Sequence, residues 1–366
     1  MAEFTRFVGL DVHKDTIAIA VAQDDRSDPA VLATIPHDVP RLLRRLQRLG
    51  PGVLVAYEAG PTGYGLCRAL AAAGIACQVI APSKTPRASG DRVKTDRRDA
   101  VSLARFLRSG DLTPVYVPDE ATEALRDLVR ARDDAKRAEK TAKHHLSKFL
   151  LRHDRRYGRK TAWSDLHLAW IATIRFDQPA QQRVLDDYLH AVLEAIARVE
   201  RLTRQIEELI PTSPVYALAR ALQALRGIKL VSGATIACEL GDLRRFSHPR
   251  QLMSFLGLVP SEHSSGQSIQ RGRITKTGNG HVRRVLVEAA WAYRFPPRAN
   301  HELGQRMAAA SGAVRTIAWK AQHRLHRRYW ALTAARKSPQ RMIVAVAREL
   351  VGFVWAIGQE PQLLAS

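Results

Sequence analysis

Four acidic residues in the first hundred positions have the types and spacing that metal-dependent catalysis needs. Asp11 and Glu58 each follow an apolar run, and Asp96 and Asp99 stand three residues apart, which puts them on one face of a helix. Carboxylates that converge at one end of a sheet can hold two divalent cations for phosphoryl transfer, and Mg²⁺ suits such all-oxygen ligands. The alternative is that Asp11 and Glu58 cap turns, Asp96 caps a helix and Asp99 is solvated.

A second chemistry is indicated by the segment 261–280, which is rich in glycine, serine and cations and predicts a loop. A serine in this loop could attack a phosphodiester while neighbouring cations stabilise the charge that develops. The alternative is a loop whose hydroxyl groups only hydrogen-bond a nucleic-acid backbone. The cations in and beside the loop are Arg271, Arg273, Lys276, Arg283 and Arg284.

The charge balance of the whole chain points to a polyanionic partner. There are 57 lysine and arginine residues against 35 aspartate and glutamate residues, a net charge of +22. Because such an excess repels itself unless a polyanion is bound, nucleic acid is the expected partner and a membrane is not. Cys67, Cys77 and Cys238 lack metal-ligand spacing, and no signal peptide is visible, so we expect reduced core thiols in a cytoplasmic protein.

The elements expected to position the four acids lie in residues 1–117. Strands are predicted at 4–10, 16–23, 30–35, 53–57 and 76–81, and helices at 40–49, 64–73 and 96–108. The acids then stand at the ends of the first and fourth strands and at the start of the last helix. Three strands followed by alternating helices and strands, with acids at these points, resemble the ribonuclease-H-like plan. We therefore expect an α/β catalytic domain here.

The middle of the chain, 118–212, predicts long helices. Neither proline nor glycine occurs after Pro118 as far as Tyr157, which predicts one very long helix. A second helix, 180–210, carries two sets of residues at seven-residue spacing, and these predict a coiled coil of about three heptads with one polar break. The alternative is a long helix packed on its own domain. The two sets are Leu185, Val192, Val199 and Ile206, and Leu189, Ile196, Thr203 and Ile210.

The remainder, 213–366, predicts a mainly helical domain. Two helices around a glycine-bearing turn at 225–235 could offer backbone N–H groups to a phosphate. Further helices are predicted at 250–258, 281–293, 314–335 and 341–357. We interpret four tryptophans as helical core rather than as base-stacking residues. These are Trp291, Trp319, Trp330 and Trp355.

Five motifs, in order along essentially the whole chain, resemble those of the DEDD transposases of bacterial insertion sequences, the IS110 family. The motifs are Gly9-Leu10-Asp11-Val12-His13-Lys14, Tyr57-Glu58-Ala59-Gly60-Pro61-Thr62-Gly63, Lys94-Thr95-Asp96-Arg97-Arg98-Asp99-Ala100, Gly257-Leu258-Val259-Pro260 with Ser264-Ser265-Gly266, and Arg273-Ile274-Thr275-Lys276-Thr277-Gly278-Asn279. The resemblance implies a RuvC-like N-terminal domain, a coiled-coil linker and a C-terminal transposase domain.

The resemblance also implies the roles of individual residues. Asp11, Glu58, Asp96 and Asp99 would form a tetrad that binds Mg²⁺. Ser265, directly before a glycine, would be the nucleophile that becomes joined to DNA, with the preceding residue, Ser264, as the alternative. His13 is interpreted as a neighbour that orients Asp11 or a phosphate rather than as a metal ligand.

The resemblance further implies the partners. Members of this family use a structured non-coding RNA that pairs with both donor and target DNA. In them the tetrad of one subunit works with the serine of another, which implies a homo-oligomer, a dimer or a tetramer, acting at the bacterial nucleoid.

Three other hypotheses compete with an RNA-guided recombinase. The first is a RuvC-type nuclease that hydrolyses DNA junctions with water and forms no covalent intermediate. The second is a non-catalytic nucleic-acid-binding protein, against which the presence of all four acids weighs. The third is a kinase-like ATPase, because Gly9-Leu10-Asp11 also resembles the first phosphate loop of that superfamily. The net charge and the lack of a recognisable second phosphate loop argue against the third.

Overall fold

A computed structural model describes residues 4–86, 95–265 and 268–361, with the backbone alone at 263–265 and 269. The chain divides into two compact units, Met1–Val117 and Pro118–Ser366. The first is a mixed α/β unit built on one sheet, and the second is mostly helical. None of the helices in the described ranges is long and apolar enough to cross a membrane. The division of the second unit at residue 212 stays a prediction.

The first unit contains every strand and helix predicted for it, with ends shifted by a few residues. The strands are β1 (Arg6–Val12), β2 (Thr16–Gln23), β3 (Ala30–Pro36), β4 (Val53–Glu58) and β5 (Ala76–Ile80), and the helices are α1 (Val39–Gln47), α2 (Gly65–Ala72) and α3 (Asp96–Ser109). The sheet order is β3-β2-β1-β4-β5. The first three strands pair antiparallel, whereas β1, β4 and β5 run parallel. Parallel strands end at the same edge of a sheet, so β1 and β4 deliver their last residues together.

The helices of this unit bury apolar faces against the sheet. In α1 the residues Leu42 and Leu46, one turn apart, are fully buried. Helix α3 begins after the N-cap Thr95 and ends at Gly110, whose positive φ of 76° forms the left-handed C-cap. These start and stop signals set the position of the first turn of α3, which carries two of the acids.

The second unit opens with three helices, α4 (Glu120–Arg152), α5 (Asp165–Thr173) and α6 (Pro179–Leu209). Leu125 of α4 packs in the same cluster as Ile206 of α6, and Leu146 packs with Leu185. The early part of one helix therefore meets the late part of the other, so α4 and α6 lie antiparallel within one chain. The four buried residues of α6 are the predicted first heptad set, Leu185, Val192, Val199 and Ile206.

The very long helix predicted after Pro118 is confirmed by the 33 residues of α4, but it ends at Arg152, before Tyr157, and Asp154 has a positive φ of 53° that an α-helix does not tolerate. Absence of proline and glycine permits a helix but does not require one. Helix α5 was not predicted, because it is only nine residues long and shows no amphipathic period.

The rest of the second unit packs around one large core of leucine, valine, isoleucine and alanine. Its elements are α7 (Tyr216–Leu222), α8 (Leu230–Leu240), α9 (Pro249–Phe255), β6 (Pro260–Ser265), β7 (Ser268–Ile274), α10 (Gly280–Ala290), α11 (His301–Ala308), α12 (Gly312–Ala334) and α13 (Pro339–Gly358). The prediction of a loop at 261–280 is wrong, because most of this segment forms the antiparallel strands β6 and β7. The turn residues in the segment mark the hairpin that joins two strands rather than one long loop.

The tryptophans also require a correction. Trp291, Trp319 and Trp330 are 37%, 43% and 51% exposed, so the interpretation of all four as core residues is wrong for these three. Trp355 is partly buried and donates its indole N–H to the carbonyl of Phe246 at 2.7 Å. The buried stripe of α12 consists of other residues, among them Ala318, Ala321 and Leu325, and Trp319 and Trp330 lie outside it.

Candidate active site

The edge of the sheet brings the first two acids side by side. The parallel register pairs Leu10 of β1 with Tyr57 of β4, so the next residues along the two strands are Asp11 and Glu58. The carboxyl edge of parallel strands is where open α/β sheets place their ligands. The two carboxylates therefore lie on neighbouring strands in the interior of the sheet order.

Helix α3 brings the other two acids to the same edge because it lies unusually close to β1. A Cβ atom added to Gly9 would overlap the backbone of Ala100 and Ala104. Alanines Ala18 and Ala20 of β2 are buried in the same contact. Only small side chains allow a helix and a sheet to approach this closely. The first turn of α3 then carries its two aspartates to the end of β1.

The N-terminus of α3 decides between two interpretations of Asp96. Thr95 is the N-cap, and its hydroxyl oxygen accepts a hydrogen bond from the N–H of Arg98 at 3.4 Å. The alternative that Asp96 caps this helix is therefore wrong. Asp96 and Asp99 lie in the first helical turn, where the helix dipole favours a negative charge.

Asp11, His13 and Asp96 form the tightest group at this edge. His13 Nε2 lies 3.1 Å from Asp11 Oδ2 and 3.5 Å from Asp96 Oδ1. One ligand atom from each of the three residues lies within 4.8 Å of the others. The Asp11 side chain is 20% exposed, whereas those of His13 and Asp96 are more than half exposed. The group is open to solvent on one side, as a site for an incoming cation and substrate must be.

The electrostatics of this group favour a bound cation. Burial raises the pKa of Asp11, the interaction with His13 lowers it, and the nearby charges of Asp96 and Asp99 raise it, with a net shift above its ordinary value. A carboxylate that is hard to ionise beside other carboxylates gains most when a positive ion is bound. The two carboxylates suit a divalent metal, and the hydrogen bond between His13 and Asp11 would let His13 orient that carboxylate rather than bind the metal itself.

Glu58 stands beside this group and not inside it. Its Oε1 accepts a hydrogen bond from the hydroxyl of Thr85 at 2.8 Å. Asp99 lies within electrostatic reach of Asp11. The structure thus brings Asp11, Asp96 and His13 closest together. Glu58 lies at the end of the adjacent strand, where Thr85 donates a hydrogen bond to it. Sequence reasoning missed Thr85, because it lies 27 positions after Glu58 and no sequence pattern links the two residues.

The predicted nucleophile lies in the hairpin of β6 and β7. The backbone of Ser265 ends β6 and pairs with Ser268, and Ser264 pairs with Ile269. The side chains of Ser264 and Ser265, and all of Gly266, lie outside the described residues. The base of this hairpin is fully described, and it shows how the serine segment is held.

The base of the hairpin is closed by backbone packing at two glycines. Gly257 and Gly278 have positive φ angles of 61° and 70°, and a Cβ atom on either would overlap the facing backbone. The N–H of Lys276 donates to the carbonyl of Gly257 at 3.1 Å, and Arg283 donates to the carbonyls of Leu256 and Thr277 at 2.8 and 2.9 Å. Arg283 therefore ties both ends of the hairpin together.

The other predicted cations divide into two kinds. Arg284 is paired with Asp133 and Glu288, and Arg271 lies 3.3 Å from Glu262. Arg273 and Lys276 are exposed, and neither is in an ion pair with any described residue. Lys276 also has a positive φ of 57°, an uncommon conformation for a residue with a side chain. Arg273 and Lys276 are thus the cations of this set most available to a phosphate.

A buried polar network behind the hairpin was missed by sequence reasoning. The Glu239 side chain is 1% exposed and accepts two hydrogen bonds from Arg130, at 2.7 and 2.9 Å, and one from Asn279 at 2.7 Å. Asn279 is also the N-cap of α10, since its Oδ1 accepts from the N–H of Val282. Burial acts to raise the pKa of Glu239, but the hydrogen bonds from Arg130 and Asn279 outweigh it, and the pKa lies below its ordinary value. One signal was present in the sequence: Glu239 is the one charged residue of an otherwise apolar helix.

Comparison with known proteins gives both units the same assignment. The DEDD transposase model of the IS110 type matches residues 8–153, and the model described as "Transposase IS116/IS110/IS902 family" matches residues 219–302. The protein y4qE of Sinorhizobium fredii is 45% identical over 364 residues, covering 98% of this chain and 90% of its own length. The transposase for insertion sequence element IS1533 of Leptospira borgpetersenii is 31% identical over 343 residues, covering 90% and 97% of the two chains. The chain belongs to the IS110 family of DEDD transposases and is a DNA transposase.

Proposed function

We propose that this transposase cleaves and rejoins DNA strands through a Mg²⁺-binding tetrad and a serine nucleophile, guided by a structured RNA. The tetrad would be Asp11, Glu58, Asp96 and Asp99, and the nucleophile Ser265. The observation that carries the proposal is the convergence of acids from β1, β4 and α3 at one edge of the sheet. The sheet order, with three antiparallel strands followed by two parallel ones, supports the RuvC-like assignment of this unit.

The protein groups at the sheet edge divide the work of holding a cation. Asp11 and Asp96 would be direct ligands, His13 would orient Asp11, and Thr85 would orient Glu58. When bound, divalent ions would stabilise the negative charge on the attacking and leaving oxygens. The raised pKa of Asp11 supports this assignment, because the cost of ionising that carboxyl group falls when a cation is present.

In the proposed serine step, one P–O bond forms and one P–O bond breaks. The Ser265 hydroxyl oxygen attacks a DNA phosphorus atom, forms a new P–O bond and loses its proton, while the bond to one deoxyribose oxygen breaks and that oxygen leaves as a hydroxyl. A hydroxyl group of the second DNA then attacks the phosphoserine, releases serine and joins the strands. Arg273 and Lys276, both exposed, would neutralise phosphate charge at this hairpin.

The guide RNA and the oligomer complete the proposal. The net charge of +22 is more than one short DNA contact needs, and it is consistent with two nucleic acids bound together. Base pairing with the RNA would select the DNA sequence, so the protein needs backbone contacts more than base readout. Two DNA partners require two sites of cleavage, which a homo-oligomer supplies.

A denaturing gel tests the covalent step. Purified protein with its co-expressed flanking RNA, Mg²⁺ and labelled donor and target DNA is compared for wild type, Ser265→Ala and the matched neighbour Ser264→Ala. We expect a slow-migrating protein–DNA band in wild type and Ser264→Ala that is absent from Ser265→Ala, with RNA binding equal in all three.

Two results would overturn the assignment. A band that survives Ser265→Ala and is lost in Ser264→Ala moves the nucleophile to Ser264. Cut DNA without a band in any lane favours the alternative function, a RuvC-type nuclease that hydrolyses junctions. Recombination that proceeds equally well after the RNA is digested would remove the guide from the proposal.

A further inference from the structure

A groove on the second unit combines an exposed indole, an apolar floor and a cationic rim. It has a volume of about 660 Å³ and lies between α9, α12 and α13. We call it the Trp319 groove. It is lined chiefly by Met253, Trp319, Lys320, His323, Arg327 and Phe353.

The aromatic part of the groove is unusual for a protein surface. The Trp319 side chain is 43% exposed and meets the His323 ring edge-on, with ring centroids 4.9 Å apart. Met253 and Phe353 are half-buried and form the apolar floor. An exposed indole above an apolar floor offers a planar ligand both stacking area and desolvation.

The charge of the groove is positive and largely uncompensated. Lys320 and Arg327 are exposed, and neither is in an ion pair with a residue in the described part of the chain. The one acidic residue of the lining is Glu349, which accepts from both Arg324 at 2.8 Å and Arg328 at 3.0 Å. Glu349 therefore cannot also neutralise the two other cations, and the rim attracts an anion.

We propose that the Trp319 groove binds an unpaired nucleotide of single-stranded RNA, with the base on Trp319 and phosphates at Lys320 and Arg327. The volume falls in the range of about 300–1,000 Å³ typical of small-ligand sites. A duplex would not present a base face to this groove, whereas unpaired bases of an RNA loop are free to stack on an aromatic side chain. This inference rests on the proposed use of a guide RNA.

Binding of short labelled oligonucleotides to the full-length protein tests the proposal. Fluorescence anisotropy is measured with a single-stranded RNA 12-mer, single-stranded DNA of the same sequence and a DNA duplex, for wild type, Trp319→Ala, Trp319→Phe and Trp330→Ala. Trp330 is a matched control because it is exposed on the same helix outside the groove. We expect Trp319→Ala to weaken RNA binding about tenfold or more, with Trp319→Phe and Trp330→Ala close to wild type.

The salt dependence tests the rim. Lys320→Gln and Arg327→Gln should each reduce the slope of log affinity against log salt for single strands by about 0.7. Equal losses for Trp319→Ala and Trp330→Ala, or binding of RNA by wild type no tighter than the duplex, would overturn the site. A Trp319 effect confined to single-stranded DNA would overturn the choice of RNA.

The covalent assay separates this inference from the proposed function. The Ser265→Ala variant should bind the RNA 12-mer like wild type and still lose affinity when Trp319→Ala is added. If the covalent band forms normally in Trp319→Ala while RNA affinity is unchanged, the groove proposal fails and the recombinase proposal stands.

Discussion

At both the acidic cluster and the base of the serine hairpin, glycines allow two backbone segments to pack in contact. The carboxyl groups of the two regions differ, because their pKa values are shifted in opposite directions. Around Asp11, carboxylates lie close together beside the imidazole of His13, and burial together with the neighbouring acids raises the pKa of Asp11. Behind the hairpin, the deeply buried Glu239 meets two strong donors, and its pKa is lowered. Carboxylates held close together with a raised pKa indicate a ligand-binding site, whereas a buried carboxylate with a lowered pKa and several donors indicates a structural contact.

The largest effect should follow loss of a cluster acid. Asp11→Asn should reduce DNA cleavage by about 10³-fold or more. The variant loses a charged group that would hold the cation, and the cation would stabilise the negative charge of the transition state. Cleavage of labelled donor DNA in saturating Mg²⁺ measures this. Activity within tenfold of wild type would remove Asp11 from the metal site.

The same variant should be more stable than wild type without metal. Because the folded-state pKa of Asp11 is raised above 3.8, its ionised form at pH 7 is less favourable in the folded chain than in the unfolded chain. Asparagine removes that cost. Thermal melts in EDTA should show a higher Tm for Asp11→Asn, and added Mg²⁺ should raise the Tm of wild type more than that of the variant. A lower Tm of Asp11→Asn than of wild type in EDTA would contradict a raised pKa of Asp11 in the folded chain.

The next effect concerns how the cluster is positioned. Gly9→Ala should destabilise the first unit by about 1–3 kcal/mol, because the new methyl group pushes α3 away from β1. A displacement of about 1 Å in two aspartates should cost about 10²-fold in cleavage. Gly65→Ala is the control, since open space surrounds that helical glycine and its Tm should be unchanged or slightly higher. Equal behaviour of the two variants would show that close approach of α3 is not needed.

The acidic cluster was more predictable from sequence than the network behind the hairpin. Asp11 and Glu58 stand at the ends of apolar runs, and Asp96 stands at the start of a predicted helix, so local pattern predicted the element end that carries each of the three. Glu239, Arg130 and Asn279 come from three distant segments, and no local period links them. Their contact is a product of tertiary packing, as is the exposure of Trp319, which helix periodicity alone did not reveal.

The resemblance to a family supplied what local pattern did not. It implies a role for Ser265, which was predicted to lie in a loop and lies in a strand, and its last motif includes Asn279, whose partner only the structure identifies. Strand ends and helix caps follow from short-range rules, but the partner of a buried ion pair depends on which helices meet.

A smaller effect should follow from removing the charge of Glu239 in the buried polar network behind the hairpin. Glu239→Gln should destabilise the second unit by about 1–3 kcal/mol, because Arg130 loses its buried counter-charge. It should reduce the serine–DNA band several-fold, since Asn279 then holds the start of α10 less firmly. Glu288→Gln, which breaks an exposed pair with Arg284, should leave the Tm unchanged. Equal Tm values for the two variants would show that the buried pair contributes no more to stability than the exposed pair.

The pH dependence of that pair has a definite sign. The folded-state pKa of Glu239 lies below the ordinary 4.5, so its stabilisation is complete above that pH and is lost as the pH falls through the folded-state value. The difference in Tm between wild type and Glu239→Gln should be constant from about pH 6 to 8 and shrink below about pH 4.5. A difference that grows on acidification would contradict a lowered pKa.

The smallest effect should come from Thr85, which is hydrogen-bonded to Glu58. Thr85→Val removes the hydroxyl that donates to Glu58 Oε1 and keeps the shape of the side chain. A carboxylate without its orienting donor holds a cation less well, so the Mg²⁺ concentration for half-maximal cleavage should rise about tenfold. Cleavage at saturating Mg²⁺ should stay close to wild type, because the same ligands are present once the ion is bound. Thr34→Val, on the exposed face of β3, should change neither quantity. A fall in maximal rate with an unchanged Mg²⁺ requirement would mean that Thr85 acts on the substrate rather than through Glu58.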